Sequence, residues 1–223
     1  MVNRPPRRAL AEPNIYSFKR TFSNIQELSA NNDYWTSSGN NLAKAWAFNL
    51  ESMGSETEFQ GLFKYYRLKG ARVRMYFSNT NSAATSNENP AVSPSVPNCQ
   101  ILVSIDRNLD GDSTAVADEE LYLQSQTTKR VLALRTDGKP LDFYMPLRQK
   151  DFVGAGIVSG VQQLKPTLSK PQWCSTQNAS DISHFGYNTL FQRVDGAGFT
   201  VGMTNAQSVK ILTTLYFECK KVE

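Results

Sequence analysis

Residue types that commonly carry enzymatic chemistry are sparse in this chain of 223 residues. His184 is its only histidine, so metal sites that need two or three imidazole ligands are excluded. A serine, histidine and aspartate triad would have to use His184, and no Gly-x-Ser-x-Gly elbow is present to offer the serine. Glu119 and Glu120 are adjacent on a predicted helix, where consecutive side chains do not face each other. We therefore predict no catalytic site and interpret His184 as a structural residue, which leaves an enzyme as the least favoured class.

One turn has the spacing of a calcium-binding loop. Asp106, Asn108 and Asp110 alternate as oxygen ligands would, and Gly111 stands at the sixth position, where such a loop turns sharply. The pattern then fails, because Ala117 occupies the twelfth position, where a bidentate glutamate is required. Asp, Asn and Gly are also the residues that ordinary tight turns prefer. We favour a turn and predict no bound metal or other cofactor.

Two further motifs are also read as structural. Gly154, Gly156 and Gly160 resemble a phosphate-binding loop only loosely, and Pro166 would interrupt the helix that such a loop needs. We predict an irregular region over residues 148–180. The three cysteines form no pairing pattern, and two of them fall at apolar positions of strand-like runs, which favours reduced core thiols. They are Cys99, Cys174 and Cys219.

The net charge of +4 is located at one end of the chain. Residues 1–20 carry five basic residues against the single acid Glu12, whereas basic and acidic residues balance in the rest of the sequence. Prolines keep the first 14 residues from forming a regular element, so we predict a basic N-terminal arm over 1–14. A solubilising tail and an arm that binds nucleic-acid phosphates both fit this charge. The candidate nucleic-acid contacts are Arg4, Arg7, Arg8, Lys19 and Arg20.

A second basic cluster lies within residues 59–77, where aromatic and basic side chains interleave. Val73, Met75 and Phe77 alternate with polar residues, which predicts a strand with one buried face, and Gly70 marks a bend or bulge in it. Basic and aromatic residues together can track a nucleic acid strand, and they are also enriched where subunits meet. We favour the subunit interface. Its candidate residues are Tyr65, Tyr66, Arg67, Arg72 and Arg74.

Alternating apolar residues predict eight strands and an all-β fold. The strands are expected at residues 15–22, 42–50, within 59–77, and at 99–106, 129–135, 139–147, 184–194 and 209–222. A helical turn is predicted over 55–62, a long polar loop over 78–98 and a short helix over 113–125. Strands and helices do not alternate, so two packed antiparallel sheets are favoured, as a sandwich or jelly roll. No apolar run is long enough to span a membrane and no signal-peptide core is visible, so we expect no membrane insertion.

Three stretches resemble the capsid proteins of circovirus-like viruses, which have small circular single-stranded DNA genomes and encode a replication initiator. The run from Phe59 to Phe77 is similar to the family strand that follows a phenylalanine-rich turn. The run from Val103 to Asp112 is similar to its next strand and acidic turn. Lys170-Pro-Gln-Trp173, followed by His184-Phe-Gly186, resembles its tryptophan segment and the strand after it, and the last strand ends similarly in Lys220-Lys221.

The resemblance implies an eight-stranded antiparallel jelly roll of two four-stranded sheets, with one short helix in a loop and a single domain over 15–223. It further implies a viral capsid protein whose copies form a closed T=1 icosahedral shell of about sixty subunits around circular single-stranded DNA. The partners would be the protein itself and single-stranded DNA, with the arm facing inward, and a host surface receptor that the sequence does not identify. The location would be the virion, and the host nucleus or cytoplasm during assembly.

One alternative from another class stays open at the level of sequence. A non-viral jelly-roll binding module, lectin-like or cytokine-like, would use Asp106, Asn108 and Asp110 to hold calcium. In the capsid interpretation, the loop over 78–98 and the region over 148–180 would supply the outer surface and the contacts between subunits.

Overall fold

The computed structural model describes residues 14–77, 99–104, 129–133, 139–158, 161–193, 199 and 208–221. These residues form twelve strands and one α-helix, joined in places by single 3-10 turns. The strands are β1 (Ile15–Glu27), β2 (Thr36–Ser38), β3 (Asn41–Phe48), β4 (Tyr65–Phe77), β5 (Cys99–Ser104), β6 (Lys129–Ala133), β7 (Leu141–Pro146), β8 (Arg148–Val158), β9 (Val161–Ser169), β10 (Cys174–Ser175), β11 (His184–Arg193) and β12 (Ser208–Lys220). The helix is α1 (Glu56–Leu62).

All of the strand pairs are antiparallel, and they form two sheets. Sheet 1 has the order β1-β12-β4-β7, and the short strand β10 pairs with the beginning of β4. Sheet 2 has the order β2-β3-β11-β5-β6, and a ribbon made of β8 and β9 pairs with the beginning of β11. Neighbours in each sheet are far apart in the chain, which is the connectivity of a jelly roll.

The predicted all-β jelly roll is confirmed, and each of the eight predicted strands is present. Four of them form sheet 1 (β1, β12, β4, β7) and four form sheet 2 (β3, β11, β5, β6), as the prediction of two four-stranded sheets requires. The count is nevertheless corrected, because β2 and β10 are two short additional strands and β8 and β9 extend sheet 2. Among the described residues, the sheets therefore have five and seven strands.

The prediction of an irregular region over residues 148–180 is wrong for its first half. Residues 148–158 and 161–169 are strands β8 and β9, paired along their length with a register shift between Gly154 and Gly156. Glycine and proline hide the alternation of such a strand, and Pro166 is tolerated because β9 pairs only with β8 among the described residues and so has one free edge there. The helical turn over 55–62 is confirmed as α1. The helix over 113–125, the loop over 78–98 and the turn at 106–112 lie outside the described residues.

A bulge near Gly70 is confirmed in β4. Tyr216 of β12 lies opposite Gly70, but its neighbour Phe217 lies opposite Leu68, so Lys69 is an extra residue on β4. The Tyr144 ring lies directly over Gly70, where a Cβ atom would stand 2.0 Å from the Tyr144 hydroxyl. The glycine thus lets an aromatic side chain of β7 cross β4 and reach β12.

The core lies between the sheets and is dominated by aromatic and large aliphatic side chains. Trp46 of β3 donates a hydrogen bond from Nε1 to Thr189 Oγ1 at 2.9 Å and packs edge-on against Phe143 of β7, which joins the two sheets. At one end of sheet 1, β1, α1 and β12 meet in an aromatic cluster, which we define as Phe18, Phe59, Phe63 and Phe217. No described helix has the length and apolar character needed to cross a bilayer.

Two of the predicted core thiols are in the core. Cys174 and Cys219 are buried and free, and burial raises the pKa of both thiols, to about 12 for Cys219. A thiol with so high a pKa is a poor nucleophile at neutral pH. Both residues therefore act as structural groups of the core rather than as reactive thiols.

Replacing Gly186 with alanine is expected to destabilise the domain by about 1–3 kcal/mol through overpacking. An added Cβ would stand 2.2 Å from Met145 Sδ and 3.3 Å from the carbonyl oxygen of Trp46, and Met145 is fully buried. Urea unfolding monitored by tryptophan fluorescence measures the change.

Gly61 provides the matched control for this substitution. A Cβ added at Gly61 meets no atom within 4 Å, and the residue lies in α1, where alanine is the better helix former. Gly61→Ala should leave stability unchanged or raise it. Equal losses in the two variants would contradict the packing explanation.

Candidate nucleic-acid and subunit interface

The solvent-facing side of sheet 1, which we call the outer face, carries more positive than negative charge. Alternation along β1, β4, β7 and β12 places apolar residues inward and these side chains outward. Its described cations are Lys19, Arg67, Lys69, Arg72, Arg74, Lys210 and Lys220, and its described carboxylates are Glu27, Asp142 and Glu218. Cations exceed carboxylates by four on this one face, although the sequence beyond residue 20 is formally neutral.

Glu218 of β12 neutralises part of this charge. Its carboxylate accepts from Arg67 at 2.7 Å and from Lys69 Nζ at 2.9 Å, and its side chain is only 12% exposed. Burial alone would raise the pKa of Glu218, but the hydrogen bonds from Lys69 and Arg67 outweigh it and lower the pKa. Glu218 is therefore ionised at neutral pH, and one carboxylate is shared by two cations.

A second ion pair lies farther along the same face. Arg72 of β4 donates from Nε to Asp142 Oδ1 at 2.8 Å and also donates to the second carboxylate oxygen, which makes a bidentate pair. Beside it, the rings of Tyr144 and Tyr216 meet edge-on at 5.9 Å above Gly70. Arg72 is thus held on the outer face by Asp142, which balances its charge.

A tryptophan from the chain segment before β10 completes the outer face at the beginning of β4. The Arg67 guanidinium carbon lies 4.5 Å from the centre of the Trp173 ring, and Lys220 Nζ lies 4.7 Å from the same ring. Lys220 Nζ also lies 5.0 Å from the centre of the Tyr65 ring. We call these four residues, Trp173, Tyr65, Arg67 and Lys220, the Trp173 cluster.

Hydrogen bonds fix the backbone that carries Trp173. The buried side chain of Gln149 accepts a hydrogen bond from the backbone N–H of Gln172 and donates to Cys174 Sγ at 2.8 Å. Cys174 pairs with Tyr66 in the sheet, and Thr176 Oγ1 donates to the carbonyl oxygen of Phe63 at 2.8 Å. The backbone is therefore fixed both before and after Trp173 in the chain.

A groove of about 310 Å³ lies beside the Trp173 cluster and is bordered by four cations. Arg67 and Lys69 border it from β4, Arg148 from the start of β8, and Lys170 from the segment after β9. Pro146 and Pro171 supply its apolar walls. No described acidic residue forms an ion pair with Arg148 or Lys170. We call this feature the basic groove.

The two described residues among the predicted nucleic-acid contacts lie on opposite faces of β1. Lys19 is on the outer face, opposite Tyr216. Arg20 points the other way, where it pairs with Glu58 at 3.2 Å and lies over the Phe59 ring. Arg4, Arg7 and Arg8 lie outside the described residues. β1 begins at Ile15, where the predicted jelly-roll domain begins, and the role of the arm stays a prediction.

One predicted interface residue has to be corrected. Tyr66 is fully buried and packs toward His184 at 6.0 Å, so it is not on the surface of the subunit. The other four, Tyr65, Arg67, Arg72 and Arg74, do lie on the outer face, and their role between subunits stays a prediction. The Nε atom of Arg74 has no hydrogen-bond partner among the described residues.

His184 lies in the interior at the beginning of β11. The side chain is fully buried, and this burial lowers the pKa of its imidazole to about 4, so it is neutral at pH 7. It has no solvent access through which a substrate could reach it. Among the described residues, no group of three histidine, cysteine or acidic side chains could hold a metal ion.

No pattern in the sequence indicates the basic groove. Arg148 and Lys170 are isolated residues in a stretch interpreted as irregular. Arg148 lies near β4 because it follows β7, which pairs with β4, and Lys170 because it precedes β10, which pairs with the beginning of β4. The sequence indicates Trp173 only through the family resemblance. Arg148, Lys170 and Trp173 lie about 80–100 residues from β4 in the chain, so no local pattern in the sequence indicates the site.

Comparison with known proteins links the whole chain to one family. The family model described as "Circovirus capsid protein" matches residues 1–223. Comparison with curated protein sequences finds no match. Among solved structures, a 60-mer of the BFDV capsid protein matches with a TM-score of 0.58 at 13% identity, covering 94% of this chain and 95% of that one. A decameric form of the BFDV capsid protein matches with a TM-score of 0.51 at 13% identity, covering 93% and 100%. At this identity the structures establish the shared fold.

Proposed function

This chain belongs to the circovirus capsid protein family and is a viral capsid protein, and from that premise we propose that its copies build a small icosahedral shell of about sixty subunits around a circular single-stranded DNA genome. Such a protein is structural, not enzymatic, and its location is the virion. During assembly we propose that it resides in the host nucleus or cytoplasm.

The match of the family model to every residue of the chain is the observation that carries this proposal. The jelly roll agrees with it, and the BFDV capsid protein, which shares that fold, forms a 60-mer. Self-association is therefore the expected behaviour of the isolated chain. Of the predicted interface residues, we propose Arg72 and Arg74 for contact with neighbouring subunits, because Tyr65 and Arg67 belong to the Trp173 cluster.

Charge supports the genome as the second partner. The arm over 1–14 contains Arg4, Arg7 and Arg8, and Lys19 continues this charge onto the outer face. Cations that neutralise phosphates bind nucleic acid without reading its sequence. Because Arg20 is paired with Glu58, we expect it to contribute less than Lys19.

The proposal is tested by electron microscopy of the purified full-length protein, with the ratio of absorbance at 260 and 280 nm recorded on the same fraction. Uniform particles with a raised ratio are expected, and nuclease digestion after opening the particles identifies DNA or RNA. A monodisperse monomer or trimer across salt and pH would contradict the shell.

Deleting residues 2–13 tests the arm separately, because this change leaves β1 intact. We expect particles that carry less nucleic acid, since three arginines are lost, and the absorbance ratio measures the loss. A charge-preserving variant, with these arginines changed to lysine, is the control and should keep most of the nucleic acid. An unchanged ratio in the deletion would exclude the arm from genome binding.

A further inference from the structure

We propose that the basic groove and the Trp173 cluster together form a binding site for single-stranded nucleic acid, separate from the N-terminal arm. Phosphates would occupy the groove, and an unpaired base would stack in the Trp173 cluster. This inference rests on the proposed function, because it names a place on the folded domain where the enclosed genome is held.

The positive charge of the groove favours the binding of an anion. Four cations border a space of about 310 Å³, and among the described residues Glu218 is the only carboxylate that pairs with any of them. Glu218 pairs with Arg67 and Lys69, whereas neither Arg148 nor Lys170 has an ion pair among the described residues. A phosphate placed between β4 and the segment at 170–171 would meet guanidinium and ammonium groups from both sides.

The neighbouring aromatic rings favour single-stranded nucleic acid over a duplex. Trp173 is half-buried and Tyr65 is 36% exposed, so both present ring surface next to the cations of the groove. Lys220 Nζ lies over both rings. If a phosphate draws that ammonium outward, a ring face becomes free for a base. Bases stack readily on aromatic rings when they are unpaired, whereas a duplex keeps them inside.

Hydrogen bonds also hold the backbone of the site in a fixed position. Gln149 holds the backbone on one side of Trp173, and Thr176 with strand β10 holds the other side. Arg67 belongs to both features, because it borders the groove and lies against the Trp173 ring. Phosphate and base would therefore bind at fixed positions beside each other, with little loss of side-chain freedom.

The N-terminal strand leads to the same place. Ile15, the first residue of β1, pairs with Lys220, and Lys220 pairs with Tyr65 across β12 and β4. The arm therefore joins the folded domain next to the Trp173 cluster. A strand of nucleic acid bound by the arm can continue into the groove without leaving positively charged surface.

A second copy of this chain is the less favoured occupant. Lysine is depleted in protein interfaces, and two of the four groove residues and one cluster residue are lysines. Glu218, the one carboxylate in the described part of the chain that pairs with a groove cation, already binds Arg67 and Lys69 within the subunit. Arg148 and Lys170 have no ion pair among the described residues, and a flexible polyanion can reach them.

The test measures the binding of a short fluorescent deoxythymidine oligonucleotide to the full-length chain by anisotropy across a salt series. The double substitution Arg148→Gln with Lys170→Gln should weaken binding about tenfold and flatten the salt dependence, because fewer phosphates are neutralised. Trp173→Leu should weaken binding about tenfold with the salt dependence unchanged, because stacking is lost and charge is not. Glu218→Gln should tighten binding, since it removes the carboxylate that competes for Arg67 and Lys69.

Lys210→Gln is the matched control, because it removes one cation from the same face at the opposite end of β12. It should change the affinity by less than twofold. A hairpin duplex of the same length should compete poorly with the single strand. Circular dichroism of each variant verifies folding, and the glutamine variants keep the measurement decisive if Trp173→Leu is unstable.

Each outcome separates this inference from the function on which it rests. Unchanged affinity in the double variant and in Glu218→Gln would overturn the groove, even when wild-type particles contain DNA. Loss of particles with unchanged oligonucleotide affinity would assign the surface to a second copy of the chain. Oligonucleotide binding that follows the variants while no particle forms would support the groove and defeat the proposed shell.

Discussion

Replacing Phe217 with alanine should lower the free energy of unfolding by about 3–5 kcal/mol, the largest single effect that we expect in this domain. Phe217 is 1% exposed and lies at the centre of the aromatic cluster. Its ring stacks on Phe18 at 5.6 Å and meets Phe59 edge-on at 5.0 Å. The substitution removes ring contacts that join β1, α1 and β12, and the surrounding rings cannot fill the cavity without leaving their own positions.

Urea denaturation of dissociated subunits measures this loss, and Tyr144→Ala is the control. Tyr144 belongs to the same sheet but is 50% exposed, so its truncation should cost at most about 1 kcal/mol. Comparable losses in the two variants would show that burial in the aromatic cluster is not what stabilises this end of the sheet.

Acidification from pH 6.5 to pH 4.5 should destabilise the folded subunit by about 2–3 kcal/mol through His184 alone. The pKa of the buried imidazole is lowered to about 4 from an ordinary value of 6.5. The unfolded chain therefore takes up a proton below pH 6.5 while the folded chain does not. The stabilising contribution is complete above pH 6.5 and is lost progressively as the pH falls toward 4.

The measurement is the free energy of unfolding at several values between pH 7 and pH 4.5, for the wild type and for His184→Gln. Above pH 4.5 most carboxylates with ordinary or lowered pKa values, Glu218 among them, remain ionised, so the histidine dominates the slope. The glutamine variant should be less stable at pH 7, because packing changes, but its stability should depend less on pH. Parallel curves for the two proteins would refute the assignment.

The sequence was sufficient to predict the sheets, because alternation survives wherever one face of a strand is buried. β12 is the clearest example, with Val209, Ile211, Leu215 and Phe217 all inward. It was insufficient for β8, β9 and the Tyr66 side chain. Glycine and proline conceal the alternation of β8 and β9. In β4 the extra residue at Lys69 reverses the alternation, so Tyr66 and Leu68 point inward together with Val73.

The candidate site was predictable only in part. The basic residues of β4 stand out because they are close together in the chain. Arg148, Lys170 and Trp173 do not, because tertiary structure alone brings them beside Arg67. Two of the β4 arginines, Arg67 and Arg72, also proved to be paired with carboxylates of β12 and β7, which no local pattern foretells.

The pairing of β1 with β12 has a consequence for how the protein is made. These strands align over thirteen consecutive pairs, from Ile15 with Lys220 to Glu27 with Ser208, and β12 lies between β1 and β4 in the sheet. Sheet 1 therefore cannot close until translation has passed residue 220, and contacts of such long sequence separation form slowly. A nascent chain released early lacks the central strand that unites the sheet. Only chains that carry β12 can therefore form a complete sheet 1 and offer it to neighbouring subunits.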